Sequence, residues 1–252
     1  MNKKVVASVI AIIVIGAGTV LLLLPRSADT FHLEKDLPDG NYTSVSFQLK
    51  GIQDCSLNVS FVNDPDLFYS MDIELYKSTP ASTAFDLSIS GEGLALLQVQ
   101  FIGKTRIKNI NLVLGSGLPY AIGVLGTNVN GTFIYENNAI GSSASLVFLA
   151  TGSFVDLRLT EDMVFSNTEM EIDVGTGSQD RPNIVYLSVD LPDGVNGIAA
   201  ISKPLSIHAN TGWTLDSQLS TYVIYVTQNH DQLPRIGLAT YAVDLVHVWL
   251  SD

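Results

Sequence analysis

Apolar side chains recur at every second position in run after run of this chain, and that spacing admits strands rather than helices. In residues 42–49, Val45, Phe47 and Leu49 fall on one side. In residues 56–61 the same is true of Leu57, Val59 and Phe61, and in residues 71–76 apolar positions alternate with Asp72 and Glu74. Strand side chains point to opposite faces in turn, so each run reads as a half-buried strand. Similar runs occupy residues 85–89, 95–102, 107–114, 121–124, 131–135, 145–149, 154–159, 170–174 and 184–190. The last group covers 197–201, 205–209, 221–227 and 236–250. After residue 26 no window of a dozen residues carries the i, i+3, i+4, i+7 stripe of an amphipathic helix. A short helical turn is expected only near residues 65–69.

Turn-forming residues separate the runs: Leu37-Pro38-Asp39-Gly40, Asn63-Asp64-Pro65-Asp66, Gly115-Ser116-Gly117, Asn137-Asn138, Thr151-Gly152-Ser153, Gly175-Thr176-Gly177-Ser178, Leu191-Pro192-Asp193-Gly194 and Asn210-Thr211-Gly212. Glycine and asparagine supply positive φ, and Pro-Asp-Gly sets a tight turn. The expected fold is all-β. Strand-and-turn units of uneven length fit a right-handed β-solenoid, whose coils stack on one another, or a β-sandwich. The echoes Gly115-Ser116-Gly117, Thr151-Gly152-Ser153 and Gly175-Thr176-Gly177-Ser178 favour the solenoid. With those turns, residues 107–213 resemble the adhesin-type β-solenoid families, also called toast-rack-like domains, found behind membrane segments in prokaryotes. The resemblance implies a surface module and supplies no catalytic residues.

The start of the chain is of a different kind. Residues 5–24 contain no charged side chain. A helix of that length spans about 30 Å, the hydrocarbon thickness of a bilayer. Lys3 and Lys4 precede it, so the N-terminus is expected to stay inside and the rest to be exported. The expected organisation is a cytoplasmic tail at 1–4, a transmembrane anchor at 5–24, a linker at 25–39 and an extracytoplasmic β domain at 40–252. The alternative is a cleaved signal and a secreted chain. Cleavage after Ala28 places Arg26 where a small residue is wanted, which favours the anchor.

Charge narrows the partners. The chain carries −12 overall; three of its 13 basic residues lie at or before Arg26 and all 25 acidic ones follow, so the remainder carries 10 − 25 = −15. Such a surface repels nucleic acid and anionic lipid. The one cysteine, Cys55, excludes an internal disulfide and reads as a small buried residue. Asn41, Asn58 and Asn130 open Asn-x-Ser/Thr sequons and are the glycosylation candidates if the chain is exported.

No convergent catalytic set is legible. The four histidines are His32, His208, His230 and His247. His208 and His247 lie on strand runs and are the only candidate bases, with no Gly-x-Ser-x-Gly elbow to accompany them. Asp64 with Asp66, and Glu169, Glu171 and Asp173 on one strand face, are the acidic clusters; weak Ca²⁺ binding is the one cofactor chemistry they suggest. Trp213, Tyr222, Tyr225, Tyr241 and Trp249 crowd the C-terminal part, as an end to the core or as a platform for a sugar or a partner. The expected function is a membrane-anchored, adhesin-like binding or structural module without catalysis, its partners other surface proteins or glycans. A sensor or regulatory domain, or a hydrolase with an unrecognised site, are the alternatives.

Overall fold

A computed structural model describes residues 30–76, 81–91, 95–141, 145–165, 168–175, 183–202, 204–210, 212–241 and 245–251. The anchor segment 5–24 and the echo residues Thr176, Gly177 and Ser178 lie outside them. No helix among the described residues is long and apolar enough to cross a membrane.

The alternating runs do form strands, and the class is all-β as expected. In chain order the strands are β1 (Thr30–Asp36), β2 (Ser44–Phe61), β3 (Leu67–Leu75), β4 (Phe85–Ser90), β5 (Leu96–Gly103), β6 (Ile107–Leu114), β7 (Tyr120–Tyr135), β8 (Ile140–Gly141), β9 (Leu146–Thr151) and β10 (Phe154–Leu159). They continue as β11 (Val164–Phe165), β12 (Glu169–Gly175), β13 (Ile184–Asp190), β14 (Asn196–Ser202), β15 (Pro204–Ala209), β16 (Trp213–Gln218), β17 (Tyr222–Thr227), β18 (Arg235–Thr240) and β19 (Leu245–Ser251). A single helical turn, α1, spans Ala81–Ala84.

The strands line up in two parallel ladders. In the first, the neighbours are β5, the first half of β2, the first half of β7, β9, β12, β18 and β14. In the second they are β6, the second half of β2, the second half of β7, β10, β13, β19 and β15. In every rung the chain runs through the first ladder and then enters the second. β2 and β7 make that passage unbroken, so the ladders form one continuous sheet folded along a corner.

Register keeps like residues together. Val99, Phe47, Ile122, Leu146, Ile172 and Leu238 share one row of the first ladder. Leu112, Val59, Phe133, Leu157, Leu187 and Val248 share one row of the second. Both rows are buried in the same core. Each such side chain contributes roughly 1.5–3 kcal/mol of apolar burial. Cys55 lies in that core as expected, and burial pushes its thiol pKa up to about 12.

The corner needs residues that accept left-handed φ. Asp54 (φ 50°), Asn128 (φ 54°) and Gly152 (φ 62°) occupy equivalent places just before Cys55, Val129 and Ser153. Asp, Asn and Gly are the types that tolerate this region. The Asn128 amide donates to Asp54 Oδ1 at 2.6 Å. Inside the corner, polar side chains take over from backbone pairing. Val129 N–H donates to Ser153 Oγ at 3.0 Å, and Ser153 N–H donates to Asn183 Oδ1 at 3.0 Å. Asn183 Nδ2 donates to the Gly175 carbonyl at 2.9 Å, joining β13 to the end of β12. Ser153 and Asn183 are both buried.

Several expectations are corrected. The turn at residues 65–69 is not helical: Asp64 Oδ1 accepts from the backbone N–H groups of Asp66 and Leu67, and the chain enters β3 at Leu67. Within the stretch expected as linker, Thr30–Asp36 forms β1, antiparallel to β3. Runs 42–49 and 56–61 belong to one strand, as do 121–124 and 131–135, because the corner bends the chain without a loop. Run 236–250 is two strands. Gly115 and Gly117 serve close approach rather than positive φ, since a Cβ on either would strike the backbone carbonyls of Asp64, Pro65 or Leu67. Successive rungs are not always neighbours. β2 sits between β5–β6 and β7, and β18–β19 sits between β12–β13 and β14–β15.

Antiparallel strands close most ladder ends. β4 pairs β5, β3 pairs β6 and β1 pairs β3. At the far end β17 pairs β14 and β16 pairs β17. Covering an edge removes a template for unwanted strand addition.

Two outcomes follow from this arrangement. Asn183→Ala removes the partners of two buried backbone groups, each worth about 1–3 kcal/mol when orphaned; the urea midpoint should fall by an amount equal to ~2 kcal/mol or more, and an unchanged midpoint would refute the corner ladder. His32 Nδ1 meets Asp72 Oδ1 at 2.8 Å across the β1–β3 pair, and that hydrogen bond raises the His32 pKa above its usual value of about 6.5. A raised folded-state pKa stabilises below the unfolded value and the effect fades as pH climbs through the folded one. The His32 ring signals should therefore titrate above 6.5 by NMR, and β1 amide protection factors should drop across that same interval.

Candidate functional site

Parallel, in-register stacking does to outward residues what it does to inward ones. On β10, β13, β19 and β15 it assembles side chains far apart in sequence into two adjacent rows. Asp156, Tyr186, His247 and Ser206 form one; Arg158, Ser188, Trp249 and His208 form the other. Neighbouring strands lie about 4.8 Å apart, close to the spacing of stacked rings. Tyr186 stacks on His247 with centroids 4.8 Å apart and planes 11° from parallel. It also lies 6.3 Å and 12° from Trp249. His208 stacks on the other side of Trp249 at 5.8 Å and 16°. Phe154, one row over, tilts against Tyr186 at 5.3 Å.

These rings are not core. Phe154 is 39% and Trp249 43% exposed. Beside them Arg158 grips Asp156 with both Nε and Nη2, at 3.2 and 2.6 Å. The Asp156 hydrogen bond holds the Arg158 pKa above its ordinary range. Phe154, Asp156, Arg158, Tyr186, Ser188 and Trp249 together line a cavity of about 310 Å³. A larger void of about 550 Å³ lies along the corner, between Asp54, Arg106, Asn128 and Gly152. Its walls are mainly polar, with Arg106 Nε 3.2 Å from Asp54. The smaller cavity is the better site because it joins ring faces to hydrogen-bonding groups, the combination that ligand pockets use.

The expected aromatic group divides. Trp249 joins the exposed strip. Trp213 is 5% exposed and its indole N–H donates to the Ser251 carbonyl at 3.1 Å. Tyr225 packs against the core, while Tyr222 and Tyr241 are exposed elsewhere. His208 and His247 belong to the strip, and His247 Nδ1 lies 2.8 Å from Ser206 Oγ. Among the described residues neither histidine forms an ion pair with a carboxylate. His230 Nδ1 lies 3.0 Å from the Thr227 carbonyl in its turn, and His32 is on β1 rather than in a linker.

Glu169, Glu171 and Asp173 do share the outward face of β12. Arg235 reaches Glu169 at 2.7 Å, and among the described residues no three acidic, histidine or cysteine side chains group around a common point. Of the sequon asparagines, Asn41 and Asn130 are exposed. Asn58 is half-buried within β2, with Nδ2 donating to Asn111 Oδ1 at 2.7 Å.

Sequence reading missed Phe154 and Tyr186 as members of this site. A signal existed: Phe-Val-Asp-Leu-Arg-Leu at 154–159, Ile-Val-Tyr-Leu-Ser-Val at 184–189 and Leu-Val-His-Val-Trp-Leu at 245–250 share the same inward positions. Aligning them brings the outward rings side by side.

No protein-family model matches the chain. No curated protein matches it either. Among solved structures, a putative cell adhesion protein from Clostridium sporogenes is similar, with a TM-score of 0.55 and 10% identity, over 88% of this chain and 100% of that one. At that identity the likeness shows a shared fold alone. The adhesin-type resemblance read from residues 107–213 is consistent with it.

The two tryptophans report on this placement directly. Acrylamide should quench Trp249 emission in the folded chain and spare Trp213. Trp249→Phe should leave a blue-shifted, poorly quenched signal; readily quenched emission from that variant would contradict the assignment of the exposed ring.

Proposed function

We propose that this chain is an extracytoplasmic binding or structural module, adhesin-like and without catalysis, held at the membrane by residues 5–24. Its described part is read as a right-handed β-solenoid. The repeated passage from first ladder to second, always in parallel register, supports a coil over hairpin-connected sandwich sheets, and parallel crossovers favour the right hand. Anchoring rests on the apolar segment and the two lysines before it.

One observation carries the binding role: the outward strip of rings, near-parallel on β13, β19 and β15, with Phe154 of β10 tilted against it. Exposed aromatics are costly to keep in water and are enriched where partners dock. Here each ring is held by its neighbours and by a sheet beneath it, so little side-chain entropy is lost on contact. The cavity is open to solvent along the strip, which suits an extended partner better than a reaction that must exclude water. The similar fold of a protein described as a cell adhesion protein points the same way.

The test uses the full chain in the membrane of living cells. Protease added outside should remove the β domain, and cells displaying the chain should adhere to one another or to a test surface. Tyr186→Ala with Trp249→Ala should cut adhesion about tenfold or more, as loss of aromatic anchors does, while leaving the folded domain on the surface. A protected domain would defeat the exported orientation. Undiminished adhesion by the double variant would defeat the binding face.

A further inference from the structure

We infer that the gap between Trp249 and Arg158 is a subsite for one pyranose ring of an uncharged glycan, an inference that rests on the binding reading above. The register creates the gap. In the outward row Arg158–Ser188–Trp249, the middle member is a serine. Its small side chain leaves two strand spacings, about 9.6 Å, between its larger neighbours. A saturated ring in van der Waals contact on both sides needs about 8 Å. The space therefore takes one ring, edge-in, with Ser188 as its floor.

The walls match the two kinds of surface that a pyranose presents. Its axial C–H groups need a flat apolar face, and Trp249 offers one toward Ser188; the opposite face of Trp249 is already covered by His208 at 5.8 Å. Tyr186, two residues from Ser188 on β13, stacks against part of that same face at 6.3 Å and 12° and extends the apolar wall along the gap. The equatorial hydroxyls of a sugar need closely spaced donors and acceptors in a plane. Asp156 and Arg158 supply both, already locked together through Nε and Nη2. Arg158 has five N–H donors and the ion pair uses two of them, while its side chain is 55% exposed, so donors remain for a ligand. Sugar hydroxyls can then be met without reorganising either side chain.

Charge selects among glycans. Asp156 neutralises Arg158 in place, so the gap offers no net positive charge to a carboxylate or sulfate. The chain as a whole carries −12, which repels polyanions. Uncharged hexose or pentose polymers fit; uronate and sulfated polymers do not. The cavity, about 310 Å³, holds roughly one sugar unit below the level of the rings, and the strip continuing to Phe154 offers the next unit a second apolar surface.

The experiment takes the full chain in detergent micelles and immobilised polysaccharides as probes: glucan, mannan, galactan and xylan as neutral, polygalacturonate and a sulfated galactan as anionic. Retention is expected on at least one neutral polymer and on neither anionic one. With Trp213→Phe in place, Trp249 is the sole tryptophan, and soluble oligosaccharides of the retained polymer should shift its emission and shield it from acrylamide. Trp249→Ala should weaken retention about tenfold or more. Ser188→Phe keeps Trp249 and fills the gap, so it should abolish retention with an unchanged unfolding midpoint. Absence of retention on every neutral polymer overturns the inference, as does retention that survives both substitutions. The binding reading is separable. If adhesion needs Trp249 but persists after periodate oxidation of the target surface and is lost after protease treatment of it, the partner is a protein; the glycan subsite then falls and the binding face stands.

Discussion

Everything described here depends on parallel backbone pairing kept in one register from rung to rung. Each strand satisfies its N–H and C=O groups on the strands beside it. Within each ladder the register holds along rows such as Val99–Phe47–Ile122–Leu146–Ile172–Leu238, so an inward residue meets inward residues and the core is built row by row. A one-residue slip anywhere would turn a whole strand inside out. The same constraint assembles the ring strip on the outside. Stacked aromatics and stacked leucines are one phenomenon seen from opposite faces of the sheet.

The register has to survive the corner, where strand geometry breaks. The β2–β7 register shifts by one residue there, at Gly51, and pairing resumes beyond it because side chains imitate the backbone. Ser153 and Asn183 take up the N–H groups that ordinary pairing leaves behind, and Asp54, Asn128 and Gly152 turn the chain through left-handed φ at one level. Fully satisfied buried polar groups of this kind fix one geometry and penalise its competitors. The corner is thus where the stacking order is enforced, and the apolar rows are where most of the stabilisation resides.

Much of the fold was visible in the period-two pattern, and what was hidden has physical reasons. The joining of runs 42–49 and 56–61 was hidden because Gly51 and Asp54 look like turn residues, while they bend a strand that pairs with β7 on both sides of the corner. β16 was missed because only Trp213 of its first residues is buried, so no alternation shows. β1 was passed over because Phe31 and Leu33 stand among charges that face water. Residues 65–69 suggested a helical turn where Asp64 instead caps a tight bend. The site was half legible. Trp249 stood out as an aromatic, whereas Phe154 and Tyr186 gain meaning only through the strands on either side, and pairing partners are not written in a single run.

The placement of β18–β19 between β12–β13 and β14–β15 has a temporal consequence. As the chain emerges from its N-terminus onward, β12 and β13 have an unmated edge until the last described strands arrive. β14 and β15 are made earlier, yet their parallel partners are β18 and β19 and not β12 and β13, so that pairing can form only once the last described strands exist. Assembly of this half is therefore governed by contacts distant in sequence, which slow folding.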